Sequence, residues 1–299
     1  MRMIDLDPEL LRRIAEAGVH AADEANIHMA AETVGDIPAL MKTLVENGPY
    51  AYTIMPQIDA DGNVKMPIAR TWDEVNECYK FVRGRSDMLS AEPLIEVRGA
   101  WYVFREDVTR GRPKGQPKGQ EVIGENIVIG LFPCGPGKGI TGELVWRVVP
   151  PETLGAASPD APKFANDTQL RRHLRVLHDR YLDALRAEDV EGIVATMNAR
   201  VLGVVRDYVN NTGTLTDLDG LDGHRAYYRA LFEKYKIEAV DMMDRVVQPG
   251  YAFSELRFTM RPRSGGASAK TIAFHTAEYF IPGKDARFAV RVGHGTDPV

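Results

Sequence analysis

The stretch RYLDALRAEDVEGIVATM, Arg180–Met197, decides the fold. It reads as a helix that meets an acidic break and starts again. Upstream, Leu170, Leu174, Leu177, Tyr181, Leu182 and Leu185 recur at helical spacing, so one helix is predicted over Thr168–Ala187. The break is explained if Asp189 caps a second, short helix over Val190–Met197. The cap satisfies orphan N–H groups and lets the chain turn across the mouth of a sheet. Tyr181 then sits on the face of the first helix that should be buried.

Working outward, VLGVVRDYV is a β-branched strand, and DGHRAYYRALFEKY is a third helix with Asp222 as its expected N-cap. YAFSELRFTMRPR, KTIAFHTAEYFI and ARFAVRVGH are long strands separated by Gly-bearing turns.

The first half carries the same order. Helices are expected over Pro8–Glu32, over Ile37–Glu46 and in WDEVNECYKFVRG. YAYTIMPQ, LIEVRGAWYVFREDVTR, EVIGENIVIGLF and GELVWRVV read as strands. Placing Asp36 on Asp189 aligns GDIPALMKTLVEN with EDVEGIVATMNAR without a gap. The same placement sets His28 on Tyr181 and Tyr52 on Val205. Such a repeat points to duplication. PPETLGAASPDAPKFAND, Pro150–Asp167, has no sustained apolar period and reads as a linker. The expected organisation is a first domain over 1–150, a linker over 151–167 and a second domain over 168–299. Helices ahead of long antiparallel strands make the fold class α+β, two tandem units, each a curved antiparallel sheet wrapped round N-terminal helices.

Composition bounds the function. The net charge of -5 argues against a nucleic-acid partner, because a phosphate backbone wants a basic surface. The one basic run, RGRPKGQPKGQ at Arg110–Gln120, reads as a mobile hairpin tip before an anion site. Two cysteines, Cys78 and Cys134, make no disulfide framework. The charged opening MRMIDLDPELLRRI lacks the apolar core of a secretory signal, and no run reaches the length of a spanning helix. A cytoplasmic protein without a membrane partner is expected. The histidines are too scattered for a zinc or iron pattern, and GPGKG at Gly135–Gly139 lacks the spacing of a phosphate loop. No metal and no cofactor are expected.

RYLDALRAEDVEGIVATM, GLDGHRAYYRALF and KTIAFHTAEYFIPGKDARFAVRVGHG together resemble ketosteroid isomerase and its relatives. That is the nuclear transport factor 2-like superfamily, which includes the SnoaL-like polyketide cyclases. The likeness spans most of Leu170–Gly295 and reaches the first half through the repeat. It implies a cone-shaped fold that hosts many functions. The position of the family's oxyanion-binding tyrosine is Tyr181, with Tyr228 in support. The position of the isomerase base is Val205, with Asp207 two residues on. The position of the second oxyanion donor, an aspartic acid held neutral in the enzyme, is Ala277, with His275 and Tyr279 on the same strand face. In the first domain His28 falls where Tyr181 does, Tyr79 where Tyr228 does and Tyr52 where the base would be. Trp101 and Arg105 lie on a following strand.

The catalytic candidates are therefore Tyr181, Asp207, His275 and His28. The substrate-binding candidates are Tyr228, Tyr279, Tyr52, Tyr79, Trp101 and Arg105. His178 is expected at the surface, and His173, His224 and His294 are expected to be structural or exposed. The resemblance implies a cofactor-independent lyase acting on a hydrophobic aromatic small molecule. The whole-chain character is similar to the lignin-derived diarylpropane lyases of the superfamily, which release formaldehyde. A steroid or polyketide isomerase or cyclase, or a non-catalytic small-molecule binder, are the other readings. A homo-oligomer is admitted by the family's habit of dimerising through the sheet.

Overall fold

The computed structural model describes residues 8–53, 56–117, 119, 122–134, 139–210, 213–264 and 270–298, with side chains from residue 21 onward. The sequence stretches at 54–55, 118, 120–121 and 135–138, which hold parts of YAYTIMPQ, of the basic run and of GPGKG, lie outside the described residues.

The chain divides into two compact units, one of residues 1–55 and 67–148, the other of 56–66 and 149–299. In the first, α1 (Pro8–Val34) and α2 (Ile37–Lys42) precede β1 (Ala51–Thr53). A small hairpin, β2 (Gln57–Ile58) and β3 (Val64–Lys65), belongs to the second unit. Then follow β4 (Ile68–Ala69), α3 (Trp72–Arg85), β5 (Ser86–Arg98), β6 (Tyr102–Pro113), β7 (Gly124–Pro133) and β8 (Gly142–Arg147). The second unit continues with α4 (Asp167–Arg186), α5 (Val190–Val194), β9 (Met197–Arg206), β10 (Leu215–Asp219) and α6 (Gly220–Lys234). It closes with β11 (Tyr235–Gln248), β12 (Tyr251–Pro262), β13 (Ile272–Pro282) and β14 (Phe288–Gly295).

The two six-stranded sheets have one topology. The order is β4-β1-β8-β7-β6-β5 in the first unit and β10-β9-β14-β13-β12-β11 in the second. Strand for strand these are the same, so the repeat read from the chain is a repeat of structure. Each unit is a cone-shaped α+β fold. Each sheet is antiparallel except at one seam, where β1 runs parallel to β8 and β9 parallel to β14. The first strand enters only after two helices, so it reaches the last strand from the same end.

The acidic break has a definite geometry. Helix α4 ends in a Schellman turn: Asp189 N–H donates to the Ala184 carbonyl at 2.9 Å and Glu188 N–H to Leu185 at 3.1 Å. Glu188 takes a left-handed φ of 56°. Its carboxylate holds that conformation by accepting from Ile237 N–H at 2.7 Å and by pairing with Arg263. Asp189 then caps α5, accepting from Gly192 N–H at 2.9 Å. The first unit repeats the device. Asp36 N–H reaches the Ala31 carbonyl and Gly35 N–H reaches Glu32, each at 3.0 Å, and Asp36 accepts from Ala39 N–H at 3.0 Å. There the left-handed residue is Gly35, with φ of 73°. The third helices differ. Thr71 and Glu74 form a capping box on α3. The residue at the cap of α6 is Asp219, without a side-chain cap bond, and the expected cap Asp222 lies in the first turn.

The helices pack into the concave side of their own sheet. Leu174, Leu177, Tyr181, Leu182 and Leu185 of α4 join Tyr228, Leu231 and Phe232 of α6 against Ala252, Leu256, Met260, Phe274 and Phe280. Side chains alternate along a strand, so Ser254 and Glu278 share this inner face, and Glu255, His275, Ala277 and Tyr279 point to the other. Leu40, Tyr50, Tyr52, Val75 and Tyr79 form the corresponding core between helices and sheet in the first unit.

The left-handed turn after α1 depends on glycine. Gly35→Ala meets nothing closer than Arg83 Cδ at 3.9 Å, so its cost is that of the backbone conformation. The expected loss is about 1 kcal/mol, read by urea denaturation, with Gly35→Asn losing less.

Candidate functional site

In the first unit a polar cluster lies beneath the sheet. Glu143 of β8 pairs across the parallel seam with Tyr52 of β1, so the two side chains share the inner face. The Tyr79 hydroxyl, from α3, donates to Glu143 Oε2 at 2.7 Å. His28, from α1, places Nε2 3.2 Å from the Tyr79 oxygen and 3.4 Å from Glu143 Oε2. Its Nδ1 lies 2.6 Å from Thr43 Oγ1. His28, Tyr52, Tyr79, Glu143 and Thr43 are all buried. The Tyr52 hydroxyl makes no hydrogen bond of ordinary geometry among the described residues. Burial, then the charge of Glu143, holds the Tyr52 and Tyr79 phenols well above their usual range. Nearby, Glu32 pairs with Arg83 at 3.3 Å. Burial and then Glu143 push the Glu32 carboxyl up to about 7, against the opposing charges of His28 and Arg83.

In the second unit the corresponding centre is built from Tyr181 of α4, Tyr228 of α6, Glu278 of β13 and Arg291 of β14. The Tyr181 hydroxyl lies 3.0 Å from that of Tyr228 and donates to Glu278 Oε1 at 3.0 Å. Arg291 Nε donates to Glu278 Oε2 at 3.0 Å. The guanidinium also sits 5.2 Å above the Tyr228 ring. Burial raises the Tyr228 phenol to about 12 and Tyr181 well above the usual range.

The predicted residues thus fall into three groups. His28, Tyr79 and Tyr52 come together in one unit, and Tyr181 and Tyr228 in the other. Asp207, His275 and Tyr279 are not brought to Tyr181. Asp207 accepts from Val209 N–H at 3.1 Å and Asn210 N–H at 2.6 Å, and its carboxylate meets the Tyr227 hydroxyl, so it anchors the turn after β9. His275 lies on the opposite face of β13, with Nδ1 2.8 Å from Glu255 Oε1. Tyr279 shares that outer face by alternation and is fully buried there. Arg105 is held by Asn26 at 3.2 Å and Asp107 at 2.7 Å. Trp101 lies in the β5–β6 turn against the Tyr102 ring. In the basic run, Arg110 pairs with Glu125 and Arg112 and Lys114 pair with Asp87.

His178 is buried, contrary to the expected surface position. Its Nε2 meets Ser254 Oγ at 3.1 Å, and its ring packs against Phe280. Among the described residues, no group of three His, Cys, Asp or Glu side chains is arranged to hold a metal ion. No described helix is long and apolar enough to cross a membrane. A cleft of about 420 Å³ in the second unit is lined by Val194, Met197, Leu221, Arg225 and Arg287, none of them a predicted site residue.

The residues missed in the sequence are Glu143, Glu278 and Arg291. Each is the one acid or the one arginine set among apolar residues on the inner face of its strand, and that is the signal that could have found them. A buried charge so placed needs partners.

Two compact cone-shaped α+β units, each with a hydrogen-bonded carboxylate beneath its sheet, define the class of molecule. No family model matches the chain, and no curated protein matches it. Solved structures similar to it cover one unit's worth of chain. A ketosteroid isomerase-like protein from Erwinia carotovora atroseptica is 17% identical, with a TM-score of 0.34, over 42% of this chain and 96% of its own. A nuclear transport factor 2-like protein of unknown function from Burkholderia pseudomallei is 11% identical, with a TM-score of 0.34, over 41% and 89%. An LEH-like epoxide hydrolase from Mycobacterium tuberculosis is 15% identical, with a TM-score of 0.33, over 44% and 84%. The fold assignment stands on the strand order above, and these likenesses carry no activity to this chain.

Burial drives the His178 imidazole down to about 4. Between that value and the usual 6.5 the unfolded chain binds the extra proton and the folded chain does not. This contribution to stability is complete above pH 6.5 and is lost as pH falls towards 4. From pH 7 to pH 4.5, His178→Gln should remove about 2–3 kcal/mol of the fall in unfolding free energy seen in the wild type, read by urea denaturation at both pH values.

Proposed function

We propose that the first unit is a cofactor-independent acid–base catalyst, and that its substrate is a flat, hydrophobic phenol bearing a benzylic hydroxyl. The observation that carries this reading is the convergence of His28 Nε2, the Tyr79 hydroxyl and Glu143 Oε2 within 3.4 Å of one another. An imidazole beside a carboxylate and a phenol can give and take a proton at one atom. The buried site strengthens each hydrogen bond aimed at developing charge. The Tyr52 hydroxyl, beside that of Tyr79, is the donor assigned to a substrate oxygen.

The reaction assigned is loss of water followed by loss of formaldehyde from a lignin-derived diarylpropane diol. His28 gives the Nε2 proton to the benzylic hydroxyl, which leaves as water, and the Glu143 carboxylate takes, and later returns, the phenol proton as the ring becomes a quinone methide. Nε2 then takes the proton of the neighbouring hydroxymethyl group. The C–C bond breaks, its electron pair restores the aromatic ring, and formaldehyde departs. The phenolate regains its proton. The sum is diol to stilbene, water and formaldehyde, with no net oxidation or reduction.

The centre of the second unit supports binding better than turnover. Glu278 already accepts from Tyr181 and Arg291, so its charge is matched within the fold. Val205 and Ala277 occupy the positions where an isomerase would hold its base and its second acid. That disfavours the steroid isomerase reading.

Metal-free protein incubated with a diarylpropane diol should form stilbene and formaldehyde in equal amounts. His28→Gln and Glu143→Gln should each lower kcat/KM by about 10²–10⁴-fold, and Tyr181→Phe by less than about tenfold. Absence of both products, or equal activity in His28→Gln, removes the proposal.

A further inference from the structure

Thr43 stands behind the candidate histidine, and its hydrogen-bonding capacity is fully determined. Its Oγ1 lies 2.6 Å from the Leu40 carbonyl oxygen. Two oxygens that close need a proton between them, and a backbone carbonyl has none to give. The hydroxyl proton of Thr43 is therefore committed to Leu40. Oγ1 also lies 2.6 Å from His28 Nδ1, and that contact needs a proton as well. Only Nδ1 can supply it.

The second unit shows that the threonine's own bond does not depend on a histidine. Thr196 is the aligned residue after α5, and its Oγ1 reaches the Ile193 carbonyl at the same 2.6 Å. The residue aligned with His28 there is Tyr181, which has no ring nitrogen. The threonine–carbonyl bond is a property of the repeated helix end, and the first unit has placed an imidazole against its lone pair.

We propose that Thr43 is a positioning residue that holds His28 with Nδ1 permanently protonated, so that the proton which comes and goes is the one on Nε2. That atom faces Tyr79 and Glu143, where a substrate proton would be exchanged. The opposite tautomer would leave two short contacts sharing one proton. It would also turn the bare nitrogen towards Thr43, away from the cluster. In turnover this role rests on the reaction proposed above; as a statement about the imidazole it does not.

The test is nitrogen NMR on protein labelled with ¹⁵N-histidine, with the His28 signals assigned by their loss in His28→Gln. Wild type and Thr43→Ser should both show Nδ1 carrying a proton in the folded protein. Thr43→Val should lose that fixed assignment and show Nδ1 in exchange between protonated and bare forms. A bare Nδ1 in the wild type overturns the proposal, as does a Thr43→Val spectrum identical to the wild type. Should Thr43→Val not fold, the wild-type and Thr43→Ser spectra decide. In the diol assay, Thr43→Val should lower kcat on the order of tenfold to a hundredfold at unchanged KM, with recovery in Thr43→Ser. A wild-type protein without turnover would remove the reaction and leave the spectrum to decide the role of Thr43.

Discussion

A carboxylate buried among aromatic rings must be met by donors, and this constraint organises both units. Glu143 and Glu278 stand on sheet strands with their side chains towards the helices. In the first unit the groups that meet the carboxylate come from the first and third helices, His28 and Tyr79; in the second they come from the first helix and the last strand, Tyr181 and Arg291. Satisfying one carboxylate therefore ties the helices to the sheet at a fixed depth. Hydrophobic packing could tolerate sliding of α4 along β13; the Tyr181–Glu278 bond at 3.0 Å could not. The polar centre specifies a register that the apolar core only favours.

The two units solve the same constraint with opposite chemical consequences. In the second, Arg291 matches Glu278 and leans over the Tyr228 ring, so charge is balanced by a group that does not release its proton. In the first, the group facing Glu143 is an imidazole, which does release one. Near it the Glu32 carboxyl, paired with Arg83, is raised by its burial and then by Glu143. The same strand order thus holds a carboxylate matched by arginine in one unit and one faced by an imidazole in the other. That asymmetry is the physical ground for placing chemistry in the first unit.

The fold was legible because its deciding features are local. The spacing of Leu174, Leu177, Tyr181 and Leu185, and the caps at Asp189 and Asp36, each depend on a few neighbouring residues. The site was legible only where a helix presents it. His28, Tyr79, Tyr181 and Tyr228 all lie on helices, whose faces follow from spacing alone. Strand residues were harder. Reading His275 and Tyr279 as inward misplaced both, because a strand reverses its faces with each residue and nothing in KTIAFHTAEYFI fixes which parity faces the helices. The aligned position Ala277 and the true carboxylate Glu278 differ by one residue, which is the whole difference between outside and inside. Asp207 failed for another reason. It sits just beyond the strand end, where a short carboxylate finds backbone N–H groups before it finds a ligand.

The threonine at position 43 joins these levels. Its hydroxyl closes the end of a short helix, as Thr196 does in the other unit, and that bond belongs to the stability of the fold. Once the hydroxyl proton is committed, what remains of the side chain is a pure acceptor at a fixed point. A tyrosine at the neighbouring helix position makes no use of it, and a histidine there is oriented by it. The same threonine–carbonyl bond closes the second helix in both units, with Tyr181 aligned to it in one and His28 in the other. The donor pattern that defines which ring nitrogen faces Glu143 comes from the way the repeated unit ends its second helix.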